Sequence, residues 1–248
     1  LAELERDIGR RSDEVLGLAR ALTRARKDAA ARFSDAVGAQ LGGLAMGRCR
    51  ISVELLPPES GVPAGGITLG AAGAERAEIL IAPDPGEPPR PLARIASGGE
   101  LSRILLAVKR TLARRDPVST YVFDEVDSGI GGAVAEAMGR ALADVARGRQ
   151  VICITHLPQV AAFAERHHRV EKRVAAGRTH SAVTLLEGEA ERRREVARML
   201  AGHTVTASAL DHAGALIEAA RAAPEPARGR GSRAAPSRAA ARRVSAQG

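Results

Sequence analysis

Apolar side chains recur along the start of this chain at alternating steps of three and four. Leu1, Ile8, Val15, Leu22 and Ala29 form one set, and Leu4, Arg11, Leu18, Ala25 and Arg32 the other. Eight of these ten positions are apolar. A repeat of this length and period specifies a long helix with one narrow apolar seam. Such a helix either serves as one strand of a coiled coil or lies along its own globular domain. There is no proline before Pro57, so the helix is predicted to run on through Phe33, Val37 and Leu41 until Gly42, Gly43 and Gly47 end it.

Beyond the seam, composition narrows the classes. Hydrophobic residues make up 45%, enough for a core, and no apolar run approaches the roughly 18 residues of a membrane span. No stretch reads as a signal peptide. Two cysteines, Cys49 and Cys153, exclude a disulfide scaffold and a four-cysteine zinc site, and favour a reducing compartment. Aromatics at 2% leave no stacking platform for single-stranded nucleic acid. The net charge is +8, of which residues 222–248, with six arginines and one acid (Glu225), contribute +5. That tail of Ala, Arg, Pro, Gly and Ser is expected to be disordered, and either contacts polyanions non-specifically or is simply solvated.

Between seam and tail, residues 50–82 alternate as β structure, and 83–91, with five prolines, read as a loop. A helix is predicted from about Gly99 to Arg114, with Leu101, Ile104, Leu105, Val108 and Leu112 on its apolar face. Next come a strand at 121–123, a helix at 132–147, a strand at 151–154 and a short helix at 158–165. Two further strands (168–174, 181–186) and two helices (190–200, 206–221) complete the body. The alternation in the middle predicts an α/β core around a parallel sheet buried on both faces.

Three motifs carry chemistry. Ser97-Gly98-Gly99-Glu100-Leu101-Ser102-Arg103 puts two glycines at a helix start, where free N–H groups and the helix dipole favour an anion and the Ser97 hydroxyl adds a donor. The same residues would also make an ordinary loop and N-cap. Tyr121-Val122-Phe123-Asp124-Glu125 is an apolar strand that delivers two carboxylates to its C-terminal edge. Asp124 is placed to hold Mg²⁺ and Glu125 to act as general base on water; the plainer alternative is a pair of acids capping the next helix. Ile152-Cys153-Ile154-Thr155-His156 brings His156 to the end of the following strand. There it is either a structural histidine or a hydrogen-bonding partner for a terminal phosphate.

In order, spacing and flanking residues, these motifs resemble the C-terminal half of an ABC-type ATPase head. Ser97 to Arg103 is similar to the signature motif, Val122 to Glu125 to the Walker B strand, Asp127 to Gly129 to the D-loop, and His156 to the switch histidine. Four stretches are similar to the RecN-type bacterial DNA repair ATPases, relatives of the SMC proteins: PLARIASGGELSRILLAVK (91–109), FDEVDSG (123–129), THLPQVA (155–161) and EVARMLAG (195–202). The resemblance covers residues 1–221. It implies a coiled-coil helix over 1–45 returning to the head and the C-terminal lobe of an SMC-type head over 46–221, an α/β fold with a P-loop NTPase-like sheet. The basic tail, 222–248, has no counterpart.

The resemblance also implies ATP and Mg²⁺ as ligands, with Asp124 at the metal, Glu125 and His156 as the catalytic pair, and Ser97, Gly98, Gly99 and Asp127 at a nucleotide shared between two heads. It implies DNA as a partner, self-association through ATP-sandwiched heads and the coiled coil, and a cytoplasmic, nucleoid-associated location. No G-x-x-x-x-G-K-[ST] loop is present. In this family that loop lies in an N-terminal half, so the chain, which starts at Leu1, is expected to be the C-terminal part of a longer protein and to bind ATP poorly alone. Two other readings compete. One is the nucleotide-binding subunit of an ABC transporter, against which stand the heptads and Glu100, where transporters usually carry Gln. The other is a non-enzymatic coiled-coil dimerisation module with a degenerate head.

Overall fold

The computed structural model describes residues 1–94, 98–113, 115–175, 178–202 and 204–222, without the side chains of 173–175. Ser97 and the basic tail from residue 223 onward lie outside the described residues. The heptad region is one 41-residue helix, α1 (Ala2–Gly42). It ends at Gly42 as expected, with Gly43 as its C-cap, and the left-handed residue that follows is Ala45, at φ 59°. The Met46 amide returns to the Leu41 carbonyl at 3.0 Å.

Helix α1 uses two faces. Leu4, Ile8, Val15, Leu18 and Leu22 of the seam remain exposed, whereas Leu16, Ala19, Val37 and Leu41 on an adjoining face are buried. That second face meets an antiparallel sheet of β1 (Arg50–Leu56), β4 (Arg76–Ala82) and β5 (Arg90–Pro91), in which Ile51 pairs with Ile81. The proline-rich loop is therefore strand at its last two residues, with Pro91 at the sheet edge, where the missing N–H costs nothing. A small hairpin, β2 (Val62–Ala64) and β3 (Ile67–Leu69), turns through Gly65 and Gly66, both at positive φ, and packs along α1. Gly65 is needed for space as well, because a Cβ there would lie 2.6 Å from Leu16 Cδ1.

The second layer is α/β. Helix α2 (Gly98–Leu112) leads to β6 (Thr120–Phe123), then α3 (Gly132–Ala146) crosses over to β7 (Gln150–Cys153), parallel to β6 and in register Tyr121–Val151 and Phe123–Cys153. Successive strand residues face opposite sides. Tyr121, Phe123, Val151 and Cys153 join the core with Val37, Leu41, Ile81, Ile104 and Met138.

The opposite side corrects an expectation. Val122, Ile152 and Ile154 are 64%, 46% and 57% exposed, so the parallel pair is buried on one face among the described residues. A single helical layer, α2 and α3, covers it. The buried face of α2 also differs: Leu106 and Ala107 are fully enclosed, and Leu105 and Leu112 sit at its margin.

Helix α4 (Pro158–Ala161) follows β7, then the hairpin β8 (His167–Ala175) with β9 (Arg178–Leu186), and the pair α5 (Glu189–Ala201) and α6 (Ala207–Ala222). A separate apolar cluster of Ala162, Val196, Ala197, Ala213 and Ile217 holds that pair. Glu195, in the 195–202 stretch, is buried and accepts two bonds from Arg198, at 2.9 and 2.6 Å. Such pairing is what makes a buried carboxylate tolerable.

Candidate functional site

The parallel order of β6 and β7 brings both strand ends to one edge. Asp124 and Glu125 follow β6 directly, and Thr155 and His156 follow β7. The two segments are tied by the Ile154 amide, which donates to the Phe123 carbonyl at 3.0 Å. Beyond Asp124 the chain turns tightly. Glu125 is at φ 57°, a left-handed conformation uncommon for a residue with a Cβ. The Ser128 amide returns to the Glu125 carbonyl at 3.1 Å. This turn leaves Asp124 and Glu125 exposed and drives Val126 and Asp127 inward.

Helix α2 starts against this turn. A Cβ on Gly98 would stand 3.0 Å from the Glu125 carboxylate, and one on Gly99 would stand 3.0 Å from Ser128 Cβ and 3.1 Å from the Glu125 carbonyl oxygen. Both glycines thus permit close approach within this chain, between the helix start and the acid turn. Two residues without a role in the sequence reading complete the junction. Ser102 donates its hydroxyl to the Asp124 carbonyl at 3.0 Å, and Arg103 Nη1 donates to the Ser128 carbonyl at 2.8 Å. The signal was available: Ser102 and Arg103 stand one helical turn after Gly98 and Gly99, on the same face. The Arg103 Nε is buried without a hydrogen-bond partner among the described residues.

Asp127, expected at a shared nucleotide, is 3% exposed and faces its own chain. Its Oδ2 accepts the Thr155 hydroxyl at 2.5 Å and the His156 backbone amide at 3.0 Å, and lies 3.1 Å from His156 Nδ1. The His156 side chain is itself 73% exposed. Beneath the ledge, burial and the charges of Asp127 and Asp124 push the Cys153 thiol up to about 12, which leaves it protonated and unreactive at neutral pH.

No group of three or more His, Cys, Asp or Glu side chains converges as a metal site among the described residues. The exposed Asp124 and Glu125 carboxylates nonetheless suit Mg²⁺, which keeps several waters and takes one or two carboxylates together with substrate phosphates. The site is an open ledge. Depressions of about 390 Å³, lined by Phe163, Arg192 and Arg221, and about 380 Å³, lined by Thr23, Gly65 and Glu75, lie elsewhere. No described helix is long and apolar enough to cross a membrane.

No protein-family model matches the chain. Among curated proteins it is 53% identical over 213 residues to the DNA repair protein RecN of Streptomyces coelicolor, covering 84% of this chain and 37% of that one. Identity to the RecN of Xylella fastidiosa is 43% over 218 residues, covering 88% and 38%. For the RecN of Bacillus subtilis it is 34% over 230 residues, covering 89% and 39%. The chain thus spans less than two fifths of the length of these relatives. Among solved structures it is similar to an Smc head domain with coiled coil from Pyrococcus yayanosii, at a TM-score of 0.47 and 20% identity, covering 69% of this chain and 29% of that one.

Proposed function

The chain belongs to the RecN family over the stretch it shares with those relatives, and we propose that it supplies the water-activating and cross-head half of an ATPase that serves DNA repair. The observation that carries this reading is the convergence of Asp124, Glu125, Gly98, Gly99 and His156 at the C-terminal edge of β6 and β7, where ligands of open α/β sheets bind.

Position supports a role for each residue. Asp124 would hold Mg²⁺, which when bound would supply charge neutralisation at the phosphates. Glu125, kept outside the core by its left-handed turn, accepts a proton from the attacking water. His156 contacts the terminal phosphate. Gly98 and Gly99, with Ser97, present the first turn of α2 to the γ-phosphate held by a second head. ATP then joins two heads, and its hydrolysis releases them, with the exposed seam of α1 transmitting the change to a partner helix. The phosphate loop comes from an N-terminal half, and DNA is the partner on which the cycle acts. The RecN relatives, at 34–53% identity, favour this reading over a transporter subunit or an inactive dimerisation module.

Co-expression of the chain with a RecN N-terminal half tests it. The pair should hydrolyse ATP, and Glu125→Gln should lower kcat by about 10²–10⁴-fold while ATP-dependent pairing of heads persists. Turnover in Glu125→Gln equal to that of the parent would remove Glu125 as the base.

A further inference from the structure

We propose that the β2–β3 arm is the stop at which the seam of α1 ceases to pair: a partner helix follows the seam from Leu1 to Leu18 and is turned away at Leu22, where the arm stands in its place. The pairing itself rests on the preceding reading, in which the seam takes a helix from an N-terminal half. The end of that pairing, and its cause, come from the arm.

The arm is an excursion that its sheet does not need. Strands β1 and β4 are antiparallel neighbours, and Leu56 pairs directly with Arg76, so a short hairpin turn would join them. Residues 57–75 instead leave the sheet and run out to α1. Two glycines bring backbone against the helix: a Cβ on Gly65 would stand 2.6 Å from Leu16 Cδ1, and one on Gly73 would stand 3.0 Å from Leu22 Cδ2 and 3.3 Å from Arg26 Nη1. Polar ties fix the contact. Arg26 donates to the Glu75 and Ala72 carbonyls, and the Thr23 hydroxyl bonds the Glu75 carboxylate. The Arg26 and Glu75 side chains are half-buried or better, so neither swings freely. The arm thus grips α1 from Leu16 to Arg26, about 15 Å of helix.

That grip meets the seam. Leu4, Ile8, Val15 and Leu18 are 64%, 60%, 47% and 65% exposed, whereas Leu22, at 40%, touches the arm. A coiled-coil partner lies about 8–10 Å away, axis to axis, and inserts its own side chains around each seam residue. Beside Leu22 the backbone of Gly73 occupies that space. The seam itself changes at the same point, because its next residues, Ala25, Ala29 and Arg32, offer no large apolar knob.

Site-specific photo-crosslinking tests this. A benzophenone-bearing residue is placed singly at Ile8, Leu18, Ala25 or Ala29 in the chain co-expressed with a RecN N-terminal half, and adducts are mapped by mass spectrometry. Ile8 and Leu18 should crosslink to a heptad helix of that half, and Ala25 and Ala29 should not. Replacing residues 57–75 by a glycine-rich turn should extend crosslinking to Ala25. Adducts from Ala25 or Ala29 to that helix in the parent overturn the proposal, even if the shortened chain does not fold. An unchanged pattern in a folded shortened chain removes the arm as the stop. Loss of all adducts at Ile8 and Leu18 overturns the pairing on which the proposal rests. A pair that crosslinks as expected yet hydrolyses no ATP counts against the ATPase reading and leaves the stop standing.

Discussion

The Ser102 hydroxyl donates to the backbone carbonyl of Asp124 across 3.0 Å, which ties the first turn of α2 to the residue just before Glu125. Arg103 makes a second tie four residues further on, at the Ser128 carbonyl. Between them the acid turn is held at both ends by one helix. Movement of α2 against a partner head would thus be felt at Glu125 without passing through the sheet.

This junction is the first target for mutation. Ser102→Ala should cost about 0.5–1.5 kcal/mol, the ordinary net worth of one hydrogen bond, read from the urea midpoint. Arg103→Met, which keeps the stem and removes the donor, should cost a similar amount. In the co-expressed pair both should reduce kcat more than KM, because they loosen Glu125 and not the phosphate grip.

The two glycines should behave differently. The Cβ of Gly99→Ala meets the backbone of Glu125 and the Cβ of Ser128, neither of which is a flexible tip. The expected loss is about 1–3 kcal/mol from overpacking, larger than the roughly 1 kcal/mol that alanine gains in a helix. Gly98→Ala meets only the end of the Glu125 side chain. Its stability should change by less than about 1 kcal/mol, yet the displaced carboxylate should lower turnover. Thermal unfolding and ATPase rates separate the two.

On α1, Arg26 donates to the Glu75 carbonyl at 2.9 Å and the Ala72 carbonyl at 2.6 Å, while Thr23 bonds the Glu75 carboxylate. Arg26→Ala should cost about 1.5–3 kcal/mol, the range for hydrogen bonds to charged groups. Limited proteolysis should then cut the 60–75 region faster than the remainder of the chain. Equal cleavage in parent and variant would show that α1 is held to the arm by other contacts.

Burial holds the His167 imidazole below the usual histidine range; Glu195 opposes that shift, and Arg192 and His168 add to it. The folded state therefore binds a proton here less readily than the unfolded chain. The linked penalty is absent above the unfolded value of about 6.5 and grows as pH falls below it. Stability should decline on the acid side of about pH 6.5, and the decline should be shallower in His167→Asn. Urea midpoints between about pH 5 and 8 measure the difference.

The sequence by itself determined the long helix, the order of strands and helices, and the placement of Asp124, Glu125 and His156 at strand ends. Those features are local: a heptad period, a run of Val and Phe, a proline or glycine at a turn act over a few residues and are legible there. The tertiary structure decided which partner each residue meets. Leu16 and Ala19, off the heptad seam, turn out to be buried face residues of α1, because the β2–β3 arm folds back onto them. Ser102 and Arg103 gain their partners only when α2 docks on the acid turn. Asp127 reads in sequence as one more acid beside Asp124 and Glu125, and only the left-handed turn at Glu125 sends it inward to His156. Such assignments depend on contacts between residues 22 to 49 positions apart, and no local pattern encodes the distance between them.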